Sequence, residues 1–501
     1  MSNYDLFAPY PISPAKITRL AGYGSANYKV EDLTGQTYLV KHHMDPESFK
    51  RIEAENKIMA HLSAQLPIEV SSPSYDKLIT YPDGSFSRML CFINGVFLKD
   101  VEATPELSFN FGKIIALSHQ SLGSYKTVEI EAFDHKWNLM NCLDSVEDMD
   151  LISDPSQRKI VNYFLEQYKQ VCADPLRKLP KQIIHNDLND WNVLVSDNEI
   201  KGIIDFGDLC YAPKICDLAI AMAYLLLDTP TPLIRAVDLI EGYLSIQKLD
   251  EKEIELLYYL IPARLCVSVI SSNKERSQGN TEDYIFVTEH KAWALLSKWF
   301  EMNPILFKNS LMKPLGFQQL NSLPTLISKR KKHLSSALSL SFDDPIHMTS
   351  AAFQYMYAAN GDTYLDAYNN IPHVGHCHPE VTQAAARQIN KLNTNTRYLY
   401  EALMGYSERL LKYFPHTLDK VIFVNSGSEA SDLAIRMAQN HTSNKHILVL
   451  ADGYHGHTRM GIDISAYKFD GKGGNGVNEN ITVLPLPKIY QGLQSSGKAY
   501  A

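Results

Sequence analysis

The stretch that most constrains the fold is HNDLNDWNVLV, His185 to Val195. Its first six residues hold a histidine, two carboxylates and two asparagines, and it then turns abruptly apolar. A four-residue turn, SDNE, separates this apolar run from a second one, in which Asp205 of IIDFGD interrupts the pattern. Apolar runs joined by turn residues read as paired strands. The hairpin therefore returns Asp205 to the end where Asp187 and Asn192 lie. HNDLND alone would also suit an ordinary polar turn, because Asn and Asp hydrogen-bond their own backbone. The second acid at hairpin distance is what makes the pair a candidate site.

The rest of the chain supplies material for more than one domain. It has 501 residues, 45% hydrophobic and 21% charged, with a net charge of -8. That charge gives no footprint for nucleic acid or an anionic membrane. Seven dispersed cysteines without a C-x-x-C pair read as reduced thiols of a cytoplasmic protein. The N-terminus has no positive start followed by an apolar run, so no secretion signal is expected. LAIAMAYLLL, between Asp217 and Asp228, is too short to span a bilayer and reads as a buried helix.

Along the chain, residues 15–41 read as strands broken by a glycine turn. Residues 47–62 have helical spacing of Ile52, Ile58, Met59 and Leu62, and SRMLCFING reads as another strand. Helical patterns dominate 105–180 and 214–302. Residues 303–345, with Pro304, Pro314, Pro324 and the basic run SKRKKH, read as a linker whose charges form a solvated face. From 346 on, short strands, DKVIFVNSG among them, alternate with helices, which argues for α/β layers.

Phosphoryl transfer from ATP needs a metal on the phosphates, a carboxylate to orient the attacking hydroxyl and a lysine on the phosphates. Asp187 precedes Asn192 by five residues and Asp205 follows the hairpin, which is the kinase spacing. Upstream, Gly22 and Gly24 would close a turn over the phosphates, Lys41 ends a strand, and Glu55 on the next helix would hold Lys41. Glu53 competes with Glu55, and helix phase alone separates them.

IIHNDLNDWNVLV, GIIDFGDLCYAPKICDLAIAMAY and CFINGV together resemble the aminoglycoside phosphotransferase (choline kinase-like) family, and most of all its branch with the hydroxylysine kinases. The resemblance spans residues 1 to about 305. It implies a two-lobed α+β kinase-like domain, with Asp187 as base, Asn192 and Asp205 as magnesium (Mg2+) ligands, and adenine at the CFINGV hinge. Asp208 and Tyr211 are candidates for an ammonium pocket.

A second constellation lies downstream. NSGSEASDLAIRMA puts Ser426, Gly427 and Ser428 at a strand-to-helix junction, a natural phosphate site, although an ordinary N-capped helix reads the same way. With ADGYHGHT, NGDTYLDAYNNIPHVGHCHPEV, LNTNTRYLYE and ISAYKF, this region resembles class III, fold-type I aminotransferases, most of all ethanolamine-phosphate and phosphohydroxylysine phospho-lyases. The resemblance implies pyridoxal 5'-phosphate (PLP) bound by Ser426, Gly427, Ser428, Tyr454 and His455, and a homodimer formed through this part. It also explains HVGHCHP without a metal, although His373, His376, Cys377 and His378 have ligand-like spacing.

PLP chemistry needs a Schiff-base lysine and a carboxylate on the ring nitrogen. The family places both beyond Y-H-G, whereas this chain offers only Lys468, Lys472, Lys488 and Lys498 there. The expectation is an α/β protein in three parts: a kinase-like domain at 1–305, a linker at 306–345, and an incomplete aminotransferase region at 346–501, inactive by itself. The chain is a natural truncation or part of a longer reading frame. Its expected function is ATP-dependent phosphorylation of a small amino alcohol, without nucleic-acid or membrane partners. Two other readings are a longer PLP enzyme and a non-catalytic nucleotide-binding assembly protein.

Overall fold

Strands β1 (Pro14–Leu20), β2 (Ala26–Asp32) and β3 (Thr37–His43) form an antiparallel meander. Asp32 closes its second turn by accepting from the Thr34 and Gln36 amides at 2.9 and 3.0 Å, with Gly35 at positive φ. The chain is described from a computed structural model that covers residues 6–20, 22, 24–133, 135–279, 288–315, 323–369 and 373–486. Helix α1 (Phe49–Gln65) follows and buries Ile52, Ile58, Met59 and Leu62, the residues whose spacing announced it. After β4 (Glu69–Val70), which belongs to a second sheet, β5 (Ile79–Thr80) and β6 (Phe86–Cys91) complete the main sheet, which runs β1-β2-β3-β6-β5. Its register sets Lys41 directly opposite Arg88.

Strand β7 (Val96–Phe97) leads into the helical lobe, which begins with α2 (Pro105–Leu122) and α3 (Pro155–Gln167). Strand β8 (Lys181–Ile184) precedes the acidic loop, and β9 (Val193–Ser196) and β10 (Glu199–Ile203) form the expected hairpin. Its turn residues Asp197 and Asn198 both have positive φ, as a tight two-residue hairpin requires. Strand β11 (Cys210–Pro213) returns to pair with β8. Helix α4 (Ile215–Leu225), the apolar run of the sequence, is buried throughout. Helix α5 (Pro232–Leu244) crosses α2 at two glycines. A Cβ at Gly112 would lie 1.9 Å from the Leu239 carbonyl oxygen, and one at Gly242 would lie 1.8 Å from that of Phe109.

The lobe is organised around α6 (Glu251–Ser277), started by a reciprocal capping box between Asp250 and Glu253. By length and composition this helix could cross a membrane, but most of it is buried in the protein core. Pro262 sits inside it and lacks the amide that would bond the Tyr258 carbonyl. The indole N–H of Trp299, the last residue of α7 (Glu289–Trp299), donates to that carbonyl at 3.0 Å instead.

The core does not stop at residue 305. Helix α8 (Pro304–Met312) buries Phe307, Leu311 and Met312, although its residues read as the start of a linker. The basic run lies on the exposed helix α9 (Leu323–His333). Strands β12 (Met348–Ala352), β13 (Tyr355–Ala358) and β14 (Thr363–Leu365) then pack on the helical lobe. The Phe353 ring lies 5.2 Å from Tyr163 and 5.1 Å from Phe300. The Tyr357 hydroxyl donates to the Phe300 carbonyl at 2.6 Å. Helix α10 (Pro379–Lys391) joins through Gln383, whose amide donates to Glu166 at 2.9 Å. Contacts accordingly group residues 1–391 into one compact unit and 392–501 into another.

Within the second unit lie α11 (Glu401–Leu411), α12 (Gly427–Thr442) and the parallel pair β15 (Ile447–Leu450) and β16 (Ile481–Leu484). DKVIFVNSG, read as a strand, forms none: Ile422, Phe423 and Val424 are exposed and have no ladder partner among the described residues.

Candidate active site

The acidic loop is anchored from below before it presents anything to the cleft. Asn186 has φ of 66°, which turns two successive amides in one direction. The Asp217 carboxylate accepts both, from His185 at 3.0 Å and from Asn186 at 2.6 Å. His119 bonds Asp217 at 3.0 Å and the Tyr243 hydroxyl at 3.0 Å, all in the core. The His185 ring takes the Asp187 amide on Nδ1 and faces the Ile204 carbonyl with Nε2 at 3.1 Å. Burial pushes this imidazole's pKa down, so it is neutral and donates from Nε2.

The loop brings Asp187 and Asn192 together as their spacing implies. The Asn192 amide donates to the Asp187 carboxylate Oδ2 at 2.7 Å and to its backbone carbonyl at 2.9 Å. Asn189 donates to the same Oδ2 at 2.9 Å. The other oxygen, Oδ1, accepts from Arg264 Nη2 at 2.8 Å. Burial and the nearby Asp208 and Asp205 push the Asp187 carboxyl up to about 7, against the pull of Arg264.

Asp205 lies two residues beyond β10, in the left-handed region, φ 60°. Lys41 donates to its Oδ1 at 2.8 Å and holds this carboxyl down to about 2. The Asp205 side chain is 52% exposed, so its carboxylate is ionised and open to solvent. Asp208 pairs with His135 at 2.8 Å. Gly22 and Gly24 both lie in the β1–β2 turn. Gly24 has φ of 74°, and a Cβ at Gly22 would collide with the Asn27 amide.

Helix phase favours Glu55 over Glu53: Glu55 is buried, while Glu53 reaches out to Lys57 at 3.7 Å. Its partner differs from the expectation. Glu55 pairs with Arg88 at 3.0 Å and Arg51 at 3.3 Å, and Lys41 goes to Asp205. The cause is β6, which sets a second, fully buried cation beside Lys41.

Oxygen donors suit magnesium. With the Asn192 amide nitrogen committed to Asp187, its oxygen stays available, and Asp205 supplies an ionised carboxylate, so both offer donors of the type a divalent cation takes. No group of three or more His, Cys, Asp or Glu side chains is placed to hold a metal among the described residues. In HVGHCHP, His376 bonds Asp366 at 2.7 Å and its backbone bridges Phe353.

The second constellation is described within residues 392–501. Ser426 caps α12, accepting from the Glu429 amide at 3.2 Å, while Glu429 returns to the Asn425 amide at 2.8 Å. The amides of Gly427 and Ser428, in the first helical turn, have no intrahelical acceptor and suit a phosphate. Gly456 approaches so closely that a Cβ would lie 2.6 Å from Ser428 Oγ. His457 lies 3.5 Å from both Ser428 Oγ and the Tyr454 hydroxyl, which draws the turn and the aromatic together. His455 donates its amide to Ser465 at 2.8 Å. Lys468 Nζ sits 5.6 Å from the Tyr454 ring centre. Lys488 and Lys498 lie outside the described residues.

Arg264, Asp217, His119, Asn189 and His457 were not singled out from sequence. The signal for Asp217 and Arg264 was there: each is a charge inside an apolar helical run, KICDLAIAMAY and LIPARLCVSVI.

Residues 16–252 match the family model described as "Phosphotransferase enzyme family", and residues 341–495 match "Aminotransferase class-III". The chain is 27% identical over 317 residues to "Hydroxylysine kinase" of Danio rerio, covering 58% of this chain and 88% of that protein. It is 38% identical over 187 residues to "Alanine--glyoxylate aminotransferase 2-like" of Drosophila melanogaster, covering 37% of this chain and 38% of that protein. It is 34% identical over 187 residues to "Ethanolamine-phosphate phospho-lyase homolog 1" of Caenorhabditis elegans, covering 37% and 40%. The chain thus spans about two fifths of the length of these two relatives.

Proposed function

We propose that this chain, a phosphotransferase-family domain followed by a class-III aminotransferase segment, transfers the γ-phosphoryl group of ATP to the hydroxyl of a small amino alcohol. The observation that carries the reading is the clasp of Asp187 by Asn192, next to Asp205 held by Lys41. Asp187 accepts the proton of the attacking hydroxyl. Its elevated pKa suits a base that works near neutral pH. Lys41 is shared between Asp205 and the phosphates, so nucleotide would draw its ammonium partly away from the carboxylate. Asn192 and Asp205 would hold a magnesium ion, which neutralises charge on the phosphates when bound. Gly22 and Gly24 let the β1–β2 turn approach the nucleotide without side chains.

The amino alcohol follows from both halves. The relatives named above include a hydroxylysine kinase and a phospho-lyase homologue. An amine condenses with the PLP aldehyde, and a phosphate on the neighbouring carbon leaves far more readily than hydroxide. A kinase acting on a vicinal amino alcohol would hand such a lyase its substrate. In the second unit, Gly427 and Ser428 would take the cofactor phosphate on backbone amides, and Tyr454 would lie against its ring. PLP supplies an electron sink when bound.

The test is an acceptor panel with the full chain: ethanolamine, 5-hydroxylysine, choline, homoserine, an aminoglycoside and a sugar, read as ADP release. The reading expects the highest kcat/KM for a vicinal amino alcohol. A sugar or aminoglycoside at the top, with no turnover of amino alcohols, rejects the acceptor class. Failure of every acceptor rejects the kinase.

A further inference from the structure

Arg264 is a charged residue in a place where charge needs a reason. It projects from the middle of α6, two residues after Pro262, and its side chain is 3% exposed. Its guanidinium lies 4.9 Å from the Trp137 ring centre and 5.6 Å from that of Tyr224. Nη1 donates to the Trp137 carbonyl at 3.3 Å, and Nη2 donates to Asp187 Oδ1 at 2.8 Å. Nε is buried without an acceptor. Arginine–carboxylate pairs are frequently bidentate, with two parallel bonds. This one gives Asp187 a single bond and leaves its own Nε unmatched.

The single bond matters because of what else Asp187 accepts. An ionised carboxylate offers about four lone-pair sites. Asn189 and Asn192 take two on Oδ2, and Arg264 takes one on Oδ1. One site on Oδ1 remains. A bidentate fork would have closed the carboxylate. Without Arg264, Oδ1 would have no donor among the described residues, and the group could turn about its Oδ2 anchor. We propose that Arg264 is a positioning residue for phosphoryl transfer, fixing the plane of the Asp187 carboxylate so that one lone pair of Oδ1 faces the acceptor hydroxyl. The guanidinium is itself held by the Trp137 carbonyl, two aromatic faces and a core helix, so it transmits rigidity. The inference rests on the reading of Asp187 as base.

The experiment is a double-mutant cycle in the full chain, D187N and R264M alone and together, with Mg·ATP and the fastest acceptor of the panel above. A misplaced catalytic group loses up to about 100-fold in rate. R264M is expected to lower kcat by ~10- to 100-fold with KM for ATP unchanged, and R264K to recover part of the loss. Added to D187N, R264M should change the residual rate by less than about threefold, because Arg264 acts only through the carboxylate. An R264M that leaves kcat intact, or that slows D187N by the factor it slows the wild type, overturns the proposal. Should R264M not fold, leaving Asp187 as an unpaired buried charge, D187N/R264M removes both charges, and its rate against D187N decides: equal rates support the proposal and a tenfold fall rejects it. A D187N chain that keeps more than a tenth of wild-type turnover instead removes the base assignment, a separate failure.

Discussion

Lys41 and Arg88 stand directly opposite each other on β3 and β6, and each binds a different acid. Lys41 bonds Asp205 at 2.8 Å on the cleft side, whereas Arg88 holds Glu55 at 3.0 Å in the core. The two cations divide the work by depth. The carboxylate of the first pair is open to solvent, where under the proposed function a nucleotide would compete for Lys41, and the buried pair ties α1 to the sheet.

Glu55→Gln should therefore act on stability before catalysis. It leaves Arg88, 2% exposed, without its counter-charge. Removing one member of a buried pair costs about 3–5 kcal/mol. Urea unfolding should show a loss of that order. An unchanged midpoint would mean that Arg51 and Arg88 do not depend on Glu55.

Asp205→Ala should abolish the magnesium dependence of nucleotide binding. Under the proposed function the carboxylate would be the ionised oxygen ligand beside Asn192, and Lys41 holds it in that state. ATP titrated with and without magnesium should give two affinities for the wild type and one for the variant. Two distinct affinities in the variant would place the metal elsewhere.

Asp190 makes stability depend on pH in an unusual direction. It is buried, its Oδ1 has no partner, and burial pushes its carboxyl up to about 6. A folded-state pKa above the unfolded value, near 4, means that folding takes up a proton between these limits. Stability from this group is present below about pH 4 and is lost as pH rises through about 6, by roughly 2–3 kcal/mol. Asp190→Asn should raise the melting temperature at pH 7 and leave it near the wild-type value at pH 4. A difference that does not vary with pH would exclude the ionisation as its source.

PLP added to residues 1–501 should bind reversibly and leave no borohydride-stable label. Lys468 lies against Tyr454 and Tyr467, at 5.6 and 5.4 Å from their ring centres, and both contacts engage its ammonium. Peptide mapping after reduction decides it: a single stoichiometric label on Lys468 would reverse the expectation.

The legible parts of the site are those whose geometry is local. Asp187 and Asn192 share one loop, and a tight hairpin fixes where Asp205 returns. Arg264 lies 77 residues from Asp187 and Asp217 lies 31 from Asn186, so their meeting depends on how helices pack. Glu55 could be placed on the inner face of α1 once the helix had a phase. Its choice of Arg88 over Lys41 depended on two cations being neighbours across a strand pair, which no spacing along the chain expresses. The stretch at 421–424 shows the converse limit: its apolar residues suit a strand, but a ladder also needs a partner.

The aromatic joint around Phe353 bears on how such a gene can be cut and recombined. The similarity to class-III aminotransferases begins at residue 341, but Phe353 packs on Tyr163 and Phe300 of the helical lobe, and Tyr357 bonds Phe300. A phosphotransferase cassette excised at the family border would carry bare ring faces into water, with the solubility penalty that a large apolar patch brings. The seam of common descent and the seam of the folded molecule thus fall at different residues. A mutation at Phe353, inherited with the aminotransferase-like segment, would be selected through the expression level of the whole chain.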